Sequence, residues 1–518
     1  MKAAKPVSHL TSGRLLARNT VWNLLGQLLP MAVGIVAIPL LIRGIGVARF
    51  GVLSLAWIII GYFSLFDLGI GRALTKLLAD RIAAQEEHVI PSLVWTSLLL
   101  LFLLGLFGGL VTLLISPWLV QRTLKIPQTL QTETLHAFFL LAVSIPLVTI
   151  TSGLRGILEG LQRFRILNLI RIPMGIFSFG GPLLVLPFST SLVPVVGILV
   201  GGRLIGGMAH LFACFYALPA FRHSFVLKRS LVLRLFKFGG WMTVSNLISP
   251  IMIYMDRFLI GALLSVSAVA YYTAPFDVVT RLTIIPAAVA GVLFPAFALS
   301  LMQDPNRAAL LLSRGVKYVF LALFPIVLVI VTLAPEALRL WLGAAFSVNA
   351  SSVLRWLAAA VLVNSLAQLP FTLIQGAGRP DITAKLHLLE LPIYLFALSL
   401  LVRDQGIEGA AIAWAARATL DAVLLFFLAH RLLPLRREFL LKLGVAAVSG
   451  LLLLYVGTLP DSPVWKAVVL LLGLFAFGVV GWFWCLAPEE RAFMLRAHEN
   501  SQTNTDPNRK VLAESGSD

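Results

Sequence analysis

The sequence predicts an all-α polytopic membrane protein with about 14 transmembrane helices. Three observations carry this. Of 518 residues, 59% are apolar and 12% charged, where a soluble domain carries about a quarter charged residues. Mean hydropathy is +0.94. Apolar stretches of about 20 residues, few of them interrupted by charge, recur along the chain, and that length crosses hydrocarbon as a helix. A soluble enzyme and a disordered protein are both excluded.

The predicted spans follow in order. The first, 20–42, begins after Asn19, and its run is too long for a cleavable signal segment. The others are 51–70, 92–116, 135–153, 166–187, 193–218, 238–260, 267–300, 318–334, 351–373, 382–402, 408–430, 442–459 and 464–487. Between the sixth and seventh, Lys228–Phe238 alternates basic and apolar residues and reads as an interfacial helix. The chain divides into a segment 1–18, an N-lobe 19–220, a linker 221–237, a C-lobe 238–432, helices 13 and 14 within 433–487, and a tail 488–518 expected to be disordered.

Lys and Arg set the orientation. The N-terminus, the connections after even-numbered helices with their adjoining helix ends, and the tail hold 29 of the 41 basic residues. The opposite connections hold 7: Arg43, Arg49, Arg122, Lys125, Arg339, Arg403 and Lys466. That asymmetry places both termini in the cytoplasm. It also accounts for the net charge of +18, which in a soluble protein would suggest nucleic acid. No module of interleaved aromatic and basic residues is present, so no nucleic-acid partner is expected. Cys214 and Cys485 are isolated, and the eight His form no His-Glu-x-x-His pattern. Neither a disulfide framework nor a metal motif follows. There is no G-x-x-x-x-G-K-[ST] loop, and no cofactor is expected.

The chain contains a weak internal repeat. Glu159–Phe164 (EGLQRF) opens helix 5, and Gln375–Pro380 (QGAGRP) opens helix 11, 216 positions later. Arg171-Ile172-Pro173 and Glu390-Leu391-Pro392 follow within those helices, and Phe66-Asp67 has an echo in Phe276-Asp277. These offsets pair helices 1–6 with 7–12 as parallel repeats. Repeated transporter halves hold their substrate at their interface.

Four segments carry a resemblance. They are Asn19–Lys76, whose most specific piece is Asp67–Ala73 (DLGIGRA), Tyr254–Ala274 (YMDRFLIGALLSVSAVAYYTA), Leu373–Lys385 (LIQGAGRPDITAK) and Gly406–Asp421 (GIEGAAIAWAARATLD). Together they resemble the polysaccharide-transport family of the multidrug/oligosaccharidyl-lipid/polysaccharide flippase superfamily. The resemblance implies two six-helix lobes in a V around a central cavity, plus two C-terminal helices. It implies a flippase in a bacterial inner membrane. Its substrate would be an undecaprenyl-diphosphate-linked oligosaccharide unit, moved from the cytoplasmic to the periplasmic leaflet for surface or exopolysaccharide assembly. It further implies coupling to H+ or Na+ or to a gradient rather than to ATP, and a polysaccharide polymerase or export complex as partner.

A cavity for a diphosphate needs fixed positive charge, which arginine supplies through its planar, always charged fork. Arg203, Arg257, Arg281, Arg355 and Arg417 lie within predicted spans, where each would cost roughly 2.5–3.5 kcal/mol if exposed to lipid. Structural pairing is the competing reading. Asp277 precedes Arg281 by four residues, and Arg417 precedes Asp421 by four, which places each pair on one helix face. Arg257 and Arg355, near the outer face, could snorkel to it, and Asp256 points away from Arg257. Trp414 and Tyr254 are candidates for stacking on sugar, or for interfacial anchoring. Glu390 and Asp277 are candidates for ion coupling, with salt bridging as the alternative. Asp67, Gly69, Gly71 and Arg72 read as a cap or hinge motif. Two rivals share the fold: a cation-coupled exporter of drugs or metabolites, and a flippase for peptidoglycan precursor. A membrane polymerase or ligase would need a large outer loop, and the outer connections here are short. A non-transporting scaffold would have less use for intramembrane arginines in both halves.

Overall fold

The computed structural model describes residues 13–219 apart from 66 and 68, together with 227, 231–232, 251–485 and 489–491. Side chains are described from residue 29 onward, apart from those of 64, 65, 83, 87, 484 and 485. Among these residues the chain is helical, without strands. Ten helices are long and apolar enough to cross a membrane, and 29–45 and 47–63 add two shorter apolar segments. Large apolar side chains stand exposed along them, as on Phe107, Val143, Phe212 and Phe475. Lipid, unlike water, makes no demand that such groups be buried.

The helices are α1 (Gly13–Ile45), α2 (Val47–Leu65), α3 (Ile70–Ala83), α4 (Ile90–Trp118), α5 (Gln128–Gly160), α6 (Phe164–Gly180) and α7 (Leu192–Ala217). After the undescribed stretch come α8 (251–263), α9 (Val266–Val279), α10 (Ile284–Gln303), α11 (Pro305–Thr332), α12 (Ala334–Leu342), α13 (Ala344–Gly376), α14 (Pro380–Leu432), α15 (Arg437–Thr458) and α16 (Pro463–Val480). Two compact units result. One holds Met1–Thr283, Ala334–Val361 and Gly378–Leu425; the other holds Ile284–Leu333, Leu362–Ala377 and Phe426–Asp518.

Several boundaries depart from the sequence expectation. The second span stops at Leu65, and α3 follows where a loop is expected. Its Ala73, Leu74 and Leu78 are fully buried with Leu93, Val94, Ile157 and Leu158. An i, i+4 apolar stripe of one face is too short to register as a span. The predicted span 267–300 is interrupted by a 3-10 turn at Thr280–Thr283. The span 318–334 starts at Pro305 instead, where Asp304 caps the helix by accepting from the N–H groups of Asn306 and Arg307. The interfacial helix 228–238 falls almost wholly outside the described residues. In the tail, Glu490 is not loose: it accepts from Lys317 Nζ at 2.5 Å and from Tyr318 Oη at 2.6 Å, both on α11.

The internal repeat reappears as backbone geometry. α5 spans Gln128–Gly160 and α13 spans Ala344–Gly376, each 33 residues long, an offset of 216 at both ends. Each ends in a turn with one residue at positive φ, Gln162 at 55° and Gly378 at 72°, again 216 apart. The next helices begin at Phe164 and Pro380. A motif only a few residues long in sequence therefore marks a conformation set twice.

Helices pack closely where small residues allow. On α4, a Cβ at Gly109 would lie 2.7 Å from Ala142 O of α5. Thr149 Oγ1 of α5 donates to Leu101 O at 2.8 Å, which ties the same two helices. Between α2 and α9 the approach is tighter still, with a Cβ at Gly51 falling 1.8 Å from Val266 O.

Candidate functional site

Within the first unit, α8, α9 and α14 bring charged side chains together at membrane depth. The element that makes this possible is a break inside α14. Gly406 takes φ 62° and ψ −137°, a conformation essentially confined to glycine. The helix reverses there, so residues before it face residues after it.

The first group centres on α8. Asp256 is 0% exposed and Arg257 is 1% exposed. Asp256 Oδ1 accepts from the Arg257 backbone N–H at 2.7 Å and from Arg257 Nη1 at 3.3 Å. Tyr272 Oη of α9 donates to Asp256 Oδ2 at 2.7 Å. Arg257 Nη1 also donates to Ile253 O at 2.6 Å, and Nη2 lies 4.0 Å from Asp277 Oδ1. The guanidinium rests on the Phe276 ring, with Cζ 3.9 Å from its centroid, and Tyr254 and Tyr272 flank it at 5.6 and 5.9 Å. Two opposite charges are thus buried side by side, with both Asp256 oxygens bonded and Arg257 bonded through Nη1 and stacked on Phe276, and it is such mutual partnering that makes a buried pair tolerable.

The second group lies on the two arms of α14. His387 Nε2 is 3.7 Å from Asp421 Oδ1. His387, Glu390 and Asp421 each offer a ligand atom, all within 4.8 Å of one another. Glu390 is 2% exposed; no N–H or O–H group donates to its oxygens or to Asp421 Oδ1, and the two carboxyl groups lie within hydrogen-bond reach of one another, so that a proton shared between them would bond them. Buried donors near them are also unpaired: Arg417 Nε, Trp414 Nε1 and Tyr394 Oη. Arg417 Cζ sits 5.7 Å from the Tyr394 ring and 5.9 Å from the Trp414 ring. Trp414 meets Phe276 edge to face at 5.5 Å, which joins this group to the first.

These positions correct several expectations. Asp256 does not point away from Arg257; it is its principal partner. Arg257 does not snorkel, because it is enclosed by aromatic rings. Asp277 is within ion-pair distance of Arg257 and not of Arg281, which lies in the 3-10 turn after α9 and is exposed. Asp421 is within ion-pair distance of His387 and not of Arg417. Arg203 is half-buried on α7, and Arg355 half-buried on α13; neither belongs to the two groups above. His387 is the residue the sequence reading passed over. Its signal was the His387-x-x-Glu390 spacing, which puts both on one helical face.

Asp67 belongs elsewhere in the unit. Its Oδ1 accepts from Gly69 N–H at 2.9 Å and its Oδ2 from Gly71 N–H at 3.1 Å, with Ser152 Oγ of α5 at 3.4 Å. It therefore caps the start of α3. A Cβ on Gly71 would sit 2.4 Å from Asp67 Oδ2. Arg72 is exposed and makes no ion pair with Asp67.

Known proteins share this architecture. Residues 16–300 match the family model described as polysaccharide biosynthesis protein. A protein of Shigella flexneri named for O-antigen transport is 34% identical over 416 residues, covering 80% of this chain and 98% of its own. A Haloferax volcanii protein, AglR, named as a flippase, is 24% identical over 399 residues, covering 76% of this chain and 79% of its own. Among solved structures, a lipid II flippase, MurJ, in an inward closed conformation superposes with TM-score 0.67 at 13% identity, over 90% of this chain and 99% of that one. An inward-facing multidrug resistance MATE transporter gives TM-score 0.66 at 15% identity, over 79% and 98%. At such identities the two structures speak to the fold alone. The match over more than half of the chain and the 34% relative together place this protein in the polysaccharide biosynthesis protein family.

Proposed function

We infer that this multi-span membrane protein is a flippase that moves lipid-linked oligosaccharide units from one leaflet to the other. The observation that carries this is the 34% identity to the Shigella flexneri protein over 98% of that protein's length. The family match and the flippase-named archaeal relative support it. The reading is transport rather than catalysis. It places the protein in a bacterial inner membrane with both termini cytoplasmic, as the Lys and Arg distribution favours.

In this reading Arg281 and Arg417 meet the diphosphate. Arg281 is exposed in its turn and Arg417 is only half-buried, whereas Arg257 is committed to Asp256 and Asp277. Arg203 is a second candidate contact, and Trp414 and Tyr254 offer ring faces. The group His387, Glu390 and Asp421 serves coupling. Two carboxyl groups facing one another beside an imidazole exchange a proton or hold a small cation more readily than a satisfied ion pair does. Those carboxylates also favour a second reading, a cation-coupled exporter, because the site groups hold four acids (Asp256, Asp277, Glu390, Asp421) against two arginines (Arg257 and Arg417).

Purified protein in liposomes loaded with a lipid-linked oligosaccharide tests the choice. Wild type exposes inner-leaflet sugar to an external glycosidase. Arg281→Ala and Arg417→Ala lower that rate at least about tenfold if each removes a charge-assisted contact worth about 1.5 kcal/mol or more. Glu390→Gln keeps basal exposure but loses its response to an imposed H+ or Na+ gradient. No exposure by wild type, with gradient-driven efflux of a cationic dye instead, establishes the exporter.

A further inference from the structure

A second site lies on the other face of α8. A cavity of about 480 Å³ opens between α2, α4, α5 and α8, within the range of pockets that bury small ligands. Ile58 and Ile59 of α2, Val111 of α4 and Met255, Phe258 and Leu259 of α8 line it. Its wall also contains Thr112, Ser116 and Thr123, yet these hydroxyls donate to Gly108 O, Thr112 O and Trp118 O of their own helix. They turn carbon toward the cavity. Ile115, another lining residue, is 46% exposed and stands beside exposed Leu113 and Leu114 on α4. The cavity thus reaches the surface where the helix presents apolar side chains to lipid.

Its position next to the charged cluster identifies the occupant. Tyr254 lines the cavity, and its ring is also 5.6 Å from Arg257 Cζ. Arg257 is taken up by Asp256 and Asp277, but Tyr254 also lies within electrostatic reach of Arg281, the exposed arginine that the flippase reading gives to the diphosphate. A molecule with a long hydrocarbon chain joined to an anionic head matches the apolar cavity and that arginine at once.

We propose that this cavity seats the isoprenoid chain of the lipid-linked substrate, in the segment adjoining its diphosphate. The proposal rests on the flippase reading for the identity of that chain. It specifies that α2, α4 and α8 select the carrier lipid, separately from whatever reads the sugar.

The test uses full-length protein in detergent micelles, so it does not require flipping. One probe is a lipid-linked oligosaccharide with a photoreactive isoprenoid; the other is a phospholipid with the same photoreactive group on an acyl chain. Mass spectrometry of wild type should locate isoprenoid adducts on 58–62, 111–116 and 254–262. Ala262→Phe and Thr112→Phe fill the cavity from two sides and should each abolish those adducts. They should also raise the flipping KM about tenfold, the scale of about two methylene groups kept from burial. Leu114→Phe, on the exposed face of α4, should change neither, and elution profiles show which variants are folded. Isoprenoid adducts found only elsewhere, or a folded Ala262→Phe with unchanged adducts and KM, overturn the proposal while flipping by wild type keeps the function. Equal labelling by the phospholipid in the presence of excess substrate also overturns it, reassigning the cavity to a bilayer lipid. Adducts at the expected peptides from a wild type that does not flip sustain the chain seat and refute the flippase.

Discussion

The Asp256–Arg257 pair makes a sharp prediction because its environment leaves no water to absorb a lost partner. Asp256 is 0% exposed and Arg257 is 1% exposed. Arg257→Ala leaves a buried carboxylate held only by Tyr272 and the Arg257 backbone N–H, at a cost of about 3–5 kcal/mol. Arg257→Lys keeps the charge but loses the planar contact on Phe276 at 3.9 Å, worth about 2 kcal/mol when desolvated. Tyr272→Phe removes a hydrogen bond to a charged group, about 1.5–3 kcal/mol. Removing both charges, as Asp256→Asn with Arg257→Gln, should restore most of what Arg257→Ala loses, since no orphaned charge remains. The assay is the folded fraction after a temperature series, read by size-exclusion chromatography of detergent-solubilised protein. If Arg257→Ala and the double variant are both as stable as wild type, the pair is not buried as described, and the reasoning from burial fails.

Three further outcomes follow from local geometry. Gly406→Ala forces a Cβ into φ 62°, ψ −137° and should cost about 1–3 kcal/mol, with loss of the His387–Asp421 approach visible as a lost effect of His387→Ala on transport. Gly51→Ala places a methyl group 1.8 Å from Val266 O. It must part α2 from α9, lowering folded yield, while Gly197→Ala, with nothing within 4 Å of the new Cβ, should be neutral or stabilising by up to about 1 kcal/mol. Glu133→Ala breaks the two-pronged contact with Arg49 at 3.1 and 3.2 Å and frees the Leu192 N–H at the start of α7. Loss of a cap of this kind costs about 0.5–2 kcal/mol, measured as a lower thermal midpoint in detergent.

The spans were legible because hydrophobic length is an additive property of a linear stretch, and lipid rewards it without reference to the rest of the fold. The turn at 159–164 and its copy at 375–380 were legible for a similar reason: a positive-φ residue closing one helix before the next opens is a local device. What the sequence hid was partnership. Asp277 and Arg281 are four apart, yet a 3-10 turn between Thr280 and Thr283 breaks the helical geometry that spacing assumes. Asp421 and Arg417 share a turn, but the carboxylate reaches His387, which is 34 positions away and adjacent only because Gly406 reverses the chain. α3 was missed since a helix with one apolar face and Arg, Lys and Asp on the other has no span-like hydropathy.

The unequal satisfaction of the two groups separates scaffold from site. Charged side chains at membrane depth are expensive, and pairing is the usual remedy. Around Asp256 the remedy is nearly complete: both carboxylate oxygens are bonded, and the one orphaned nitrogen of Arg257, Nε, belongs to a plane lying on Phe276. Around Glu390 it is applied only in part: the Glu390 and Asp421 carboxyl groups face one another and His387 approaches Asp421 at 3.7 Å, while other donors stand nearby unused. Arg417, Trp414 and Tyr394 carry unpaired N–H and O–H groups beside these carboxyl groups. Unsatisfied buried polar atoms cost about 1–3 kcal/mol each, so a fold shaped for stability alone would have closed these bonds or replaced the residues with carbon. Sites that break local rules without local compensation are where function is expected. The contrast assigns the Asp256–Arg257 pair to holding α8 against α9, and leaves the α14 group as the part free to change partners when a proton, a cation or a diphosphate arrives.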